Sequence, residues 1–117
     1  MTRFPRSVYE RGTEPDVRFS LANERTFLAW IRTGLALLAG GVALEVLGLD
    51  LHPELRFAAS LVLVIAGVFT PALAWANRMR TERAMREGMP LPASLLGPML
   101  VVTVTLAGAL VLLAVIL

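Results

Sequence analysis

The sequence predicts an all-α integral membrane protein with three transmembrane helices. Three observations lead there. The chain is 56% hydrophobic and only 17% charged, a balance that suits a bilayer better than a water-facing core. It holds three apolar runs long enough to cross a membrane. All of its arginines but Arg32 lie outside those runs.

Residues 1–17 are polar, carry Pro5, Gly12 and Pro15, and show no sustained apolar period. They read as a flexible cytoplasmic arm, followed by one membrane domain over residues 18–117. The first apolar run starts too late for a secretory leader, and no small-residue cleavage site follows it. Ser20 suits the cap of the first helix, with Glu24 near its positive dipole end. The span itself runs over residues 27–49, about 34 Å of helix at about 1.5 Å per residue. Gly48 and Asp50 end it, and Pro53 sits where a second helix begins, a position at which a missing N–H costs nothing.

The second span is expected over residues 57–76, with Pro71 inside it and Trp75 at its exit, where an indole favours the membrane interface. A polar connection should follow from Asn77 to Pro92, carrying Arg78, Arg80, Arg83 and Arg86. The spacing of the last three predicts one basic helical face. The third span, residues 94–117, is almost wholly Leu, Val, Ala and Gly, with Ser94 as its cap and Ala114 expected towards lipid.

Orientation follows from arginine asymmetry. Arg3, Arg6, Arg11, Arg18 and Arg25 precede the first span and four more arginines follow the second, whereas the first connection holds only Arg56. The positive-inside rule puts the amino terminus and the second connection in the cytoplasm and the carboxyl terminus outside. Every basic residue is arginine, which GC-rich coding explains as readily as a demand for guanidinium.

Several function classes are excluded by residue type. No cysteine and a single histidine, His52, remove thiolate chemistry and imidazole clusters. There is no glycine-rich phosphate loop, no nucleophile–histidine pair and no carboxylate pair at metal spacing. An enzyme, a metal site or a cofactor is not expected. Nucleic acid is not expected either, because the arginines flank membrane spans rather than forming a folded basic face.

The first helix has an unusual pattern. At about 100° per residue, Arg25, Ala29, Arg32, Ala36, Ala39 and Ala43 fall on one face, each within about 40° of a common direction. Gly34, Gly41 and Gly48 lie on the opposite face at heptad spacing, with Glu45 among them. Small residues let helices approach closely, so both faces are expected to be packed and this helix to be the innermost. Two further helices can cover only one side. The other side calls for a second copy of the chain in a cyclic homo-oligomer.

Arg32 lies about five residues inside the apolar run, where a charge costs a few kcal/mol unless it snorkels or finds a partner. It can reach phosphate headgroups of anionic lipid, or it can join a ring of guanidiniums suited to phosphate. Arg25 is open to the same two readings nearer water. Asn23 and Glu24 should anchor to a neighbouring helix, with Arg78 or Asn77 as partner. Glu45 either pairs with Arg56 or faces water.

The stretch from Arg18 to Val42, with its core Asn23-Glu24-Arg25-Thr26-Phe27 followed by Trp30 and Arg32, closely resembles the signature of the YidH-like membrane proteins, domain of unknown function 202. That resemblance implies a bacterial inner-membrane protein of three spans. The group is also similar to the membrane domain of the yeast vacuolar transporter chaperone complex, which makes polyphosphate and moves it across a membrane. There, three-helix subunits surround an axis and basic residues of the first helix guide the polyanion. The resemblance thereby implies an assembly around an axis, such as a pentamer, with Arg25 and Arg32 lining a path for phosphate or polyphosphate; Arg18 and Arg78 are further candidates for binding an anion or lipid headgroups. These residues contain no polymerase domain, so coupled synthesis is not implied. The alternative expectation is a non-conducting scaffold or regulatory subunit that binds anionic lipid or another membrane protein.

Overall fold

The computed structural model describes residues 17–88, 90 and 94–117. The arm expected over residues 1–17 lies, but for Val17, outside the described residues, as does Pro92. The described residues form three α-helices: α1 (Val17–Val46), α2 (Pro53–Arg86) and α3 (Leu96–Ile116). Each is long and apolar enough to cross a membrane, and no strand occurs among the described residues.

The backbone is already helical at Val17, so Ser20 lies within α1 instead of capping it. Leu47 N–H still donates to Ala43 O at 3.0 Å; Gly48 then takes a φ of 59°, the left-handed geometry that ends helices and that glycine adopts without a Cβ penalty. Gly48 is exposed, with open space around it. It reverses the chain and takes no part in packing, which corrects its placement on the packed glycine face. The turn is tied on three sides. Arg56 Nη1 donates to Leu49 O at 2.7 Å, His52 Nδ1 accepts from Leu55 N–H at 3.5 Å, and His52 N–H donates to Ala114 O at 3.1 Å.

α2 runs well past the expected exit at Ala76 and ends only at Arg86. Most of the expected polar connection is therefore helix. The physical reason is plain: from Ala72 to Glu87 there is neither glycine nor proline, and Arg, Met, Ala and Glu are strong helix formers. Gly88, at φ 66°, stops it. Pro71 is accommodated inside the helix. It has no N–H for the carbonyl of Gly67, while Thr70 Oγ1 donates to Ala66 O at 2.6 Å.

α2 is the middle of the protomer. α1 and α3 each pack on it and do not pack on one another. Small residues at the two seams make this close approach workable: Ala59, Ser60, Ala66, Gly67, Thr70 and Ala74 of α2 are all buried. The buried side of α3 is Leu96, Thr103, Ala107 and Ala114. Ala114 is thus packed rather than lipid-facing, and its carbonyl holds the first turn. Ser94 Oγ accepts from Leu96 N–H at 3.2 Å at the start of α3. The rest of α3, including Val101, Val102, Leu112 and Ile116, is exposed apolar surface, as a bilayer requires. Within the protomer one helix, not two, covers α1.

Candidate anion-binding face and the seam behind it

The seam between α1 and α2 fixes how α1 is rotated. Near its centre the backbones almost touch. A Cβ built on Gly41 would lie 2.6 Å from Val64 Cγ2 and 2.9 Å from Ser60 O, and one on Gly67 would lie 2.7 Å from Leu38 Cγ and 2.9 Å from Leu38 N. A Cβ on Gly34 would meet Gly67 O, Thr70 Cβ and Pro71 Cδ at 3.4 Å, ordinary contact distances. The carbonyl left without a helical donor by Pro71 therefore faces Gly34. Ser60 Oγ donates to Gly41 O at 2.5 Å, a buried hydrogen bond across the seam.

At the arginine-rich end the seam is polar and aromatic. Asn23, buried, donates from Nδ2 to Arg78 O at 3.0 Å. Phe27 and Trp75 meet edge to face with centroids 5.9 Å apart, and the guanidinium of Arg78 lies 5.1 Å from the Phe27 centroid and 5.6 Å from that of Trp75. Such cation–π contacts contribute about 0.5–2 kcal/mol, according to how desolvated they are. Within the protomer Arg78 belongs to this aromatic pair. Trp30 is half-buried. One turn further out, Ser20 Oγ donates towards both carboxylate oxygens of Glu82 at 3.4 Å, and Glu82 pairs with Arg86 at 3.6 Å with both side chains almost fully buried.

That buried pair alters the expected basic face. Arg80 and Arg83 are exposed and Arg83 pairs with Glu87 at 3.3 Å, but Arg86 turns inward to Glu82. The two steps of three residues from Arg80 to Arg86 each rotate the side chain by about 60°, about 120° in all, enough to carry the last arginine off the common face.

Opposite the seam α1 is bare. Arg25, Ala29, Arg32, Ala36 and Ala39 are exposed and Ala43 half-buried. Arg18, Glu24 and Thr26 are exposed as well. Among the described residues, Arg25, Arg32 and Glu24 form no hydrogen bond or ion pair. The stripe thus presents two guanidiniums at one end and alanines beyond, facing away from α2. At the other end Glu45 pairs with Arg56 at 3.6 Å, which decides between pairing and solvation.

Two apolar crevices flank α3. The larger, about 410 Å³, lies where α1 and α3 diverge, with Gly40 and Leu44 on one wall, Leu63 as floor and Ala107 and Gly108 opposite. It offers no polar group to an anion. Among the described residues no cluster of three His, Cys, Asp or Glu could hold a metal.

The seam was partly readable in advance. Ser60, Gly67 and Ala74 recur at heptad spacing along α2 and match the spacing of Gly34 and Gly41, so a small-residue face on the second helix was there to be seen. The Glu82–Arg86 pair has the i, i+4 spacing of a helical ion pair, while the Ser20 contact has no signal in the sequence. Both depend on α2 continuing beyond the apolar run.

Fold and seam together define an all-α membrane protein of three spans whose first helix is half covered. The model of a family described as a domain of unknown function, DUF202, matches residues 18–84, and the chain belongs to that family. It is 47% identical over 88 residues to the inner membrane protein YidH of Escherichia coli, covering 73% of this chain and 76% of that one. It is 49% identical over 80 residues to an uncharacterized protein of Mycobacterium tuberculosis, covering 68% of this chain and 66% of that one. The chain thus spans just under two thirds of the mycobacterial relative's length. No solved structure matches.

Proposed function

We propose that the protein is a non-catalytic, homo-oligomeric anion-binding assembly of the bacterial inner membrane, with α1 of each copy lining a shared axis. Its ligand class is phosphate or polyphosphate. The observation that carries the reading is the bare face of α1, where Arg25 and Arg32 stand without a partner among the described residues above a run of exposed alanines. An arginine within the apolar run needs water, a counter-ion or another charge. Copies of Arg32 brought round an axis repel one another until an anion relieves them, and guanidinium offers phosphate a bidentate fork. The relative named as an inner membrane protein supports the location. The arginine asymmetry supports a cytoplasmic amino terminus and an outer carboxyl terminus.

Thermal stability of the detergent-solubilised protein, compared in phosphate, polyphosphate and chloride at matched ionic strength, tests the anion. Phosphate-rich anions should stabilise the wild type and not Arg32→Gln. Arg25→Gln should lose less, because it lies nearer water where charges are screened, and Arg32→Lys should recover part of the effect. Equal stabilisation of wild type and Arg32→Gln would favour a lipid-anchored scaffold instead. Orientation is tested separately by a cytoplasm-active reporter, expected to be silent after Leu117 and active when placed after Gly88.

A further inference from the structure

The bare face of α1 carries charges of both signs, and they are placed so that they cannot satisfy each other. Glu24 and Arg25 are adjacent, so they share nearly the same height, about 1.5 Å apart along the axis, but point about 100° apart in azimuth. Neighbours at i and i+1 do not face one another on a helix. Asn23 and Phe27, on either side of them in sequence, are committed to Arg78 and Trp75 on α2, so α1 is not free to rotate either charge towards α2. Both are exposed, and among the described residues neither has an ion pair or hydrogen bond.

We propose that Glu24 of each copy pairs with Arg25 of the next, closing a ring of alternating charge around the assembly. This rests on the oligomeric reading above and specifies its contact. A head-to-tail interface of a cyclic assembly brings one flank of a helix against the opposite flank of its neighbour, and a carboxylate and a guanidinium at one height on opposite flanks complement each other there. The occupant of this face is a second copy because of sign. Anionic headgroups would attract Arg25 and Arg32 but repel Glu24, whereas a copy of the same chain answers both. Once Arg25 is neutralised in this way, Arg32, about two turns further along, is the guanidinium left uncompensated and the one that contacts the anion.

The test is a charge exchange read by native mass measurement of the lipid-solubilised protein. Glu24→Arg and Arg25→Glu should each raise the monomer fraction at least tenfold, and the double exchange should return it to the wild-type level. Glu24→Arg combined with Arg80→Glu carries the same net charge and should give no rescue. Rescue by Arg80→Glu as good as by Arg25→Glu, or no rescue by either, would overturn the pairing. So would single variants that assemble as the wild type does. A wild type that is itself monomeric would sink the oligomeric reading, a different result from an assembled wild type whose double exchange fails.

Cross-linking guards against variants that merely misfold. The chain has no cysteine, so differently tagged chains bearing Glu24→Cys and Arg25→Cys can be co-expressed and treated in membranes with a short bis-maleimide. Mixed dimers should exceed each like-with-like dimer by well over the twofold that random pairing of equal amounts gives, and a ratio at or below that twofold counts against the pairing. An excess of like-with-like dimers, or no dimer, counts against the pairing.

Discussion

The two sides of α1 are built from the same kind of residue and meet different fates. On one, Gly34 and Gly41 are buried against α2; on the other, Ala29, Ala36 and Ala39 are exposed. The difference lies in the partner. α2 presents Ser60 and Gly67 in register with the glycines, so the backbones close until Ser60 bonds the carbonyl of Gly41. Among the described residues no helix presents a matching row to the alanines. Small residues permit close approach, but a second small surface is what makes it happen.

The largest effect should come from breaking the covered side. Gly41→Leu places a side chain where even a Cβ meets Val64 and the backbone of Ser60, so α1 should no longer dock and the cooperative thermal transition in detergent should be lost. Gly41→Ala should cost about 1–3 kcal/mol by overpacking, while Gly34→Ala, whose Cβ meets only contacts at 3.4 Å, should be much milder. If both alanine variants melt alike, the seam is not the close contact described.

A smaller effect belongs to the bare side. Ala36→Leu should leave the protomer folded, because Ala36 touches neither other helix closely enough to be buried, yet lower the oligomer fraction in native mass measurement. Smallest of all, Ala109→Leu, on the exposed side of α3, should change neither stability nor assembly. An Ala36→Leu variant that assembles as well as Ala109→Leu would mean that the alanine stripe faces lipid.

The sequence showed most where a period of about 3.6 residues coincided with strong chemical contrast. The three spans and the two small faces of α1 stand on such contrast, whereas the pattern leaves Glu45 open between Arg56 and water and the structure pairs it with Arg56. It misled where composition was taken for conformation. Asn77 to Arg86 is polar, which suggests a connection, yet without a breaker the helix has no reason to stop. Ala114 shows the opposite difficulty. In a helix as uniformly apolar as α3, nothing in the pattern distinguishes a packed alanine from a lipid-facing one, and burial is decided by where α2 happens to lie. The same holds at the candidate site. Asn23 reaches Arg78, as its place in the motif suggested, but through the backbone carbonyl, leaving the guanidinium to Phe27 and Trp75.

The divergence of α1 and α3 also bears on how the chain is made. α1 and α2 are joined by a short turn, and their seam can close from the contacts nearest that turn, such as Ser60 with Gly41, towards the distant ones, such as Ser20 with Glu82; contacts nearer in sequence form faster. Chains emerge amino terminus first, at about 5–20 residues per second, so α1 and α2 leave the ribosome before α3 does. α3 needs nothing from α1 in order to settle; it needs only the far side of α2 and the carbonyl of Ala114 within reach of His52. The packing thus allows biogenesis in two steps, a hairpin that enters the membrane as a unit and a single helix that joins it afterwards.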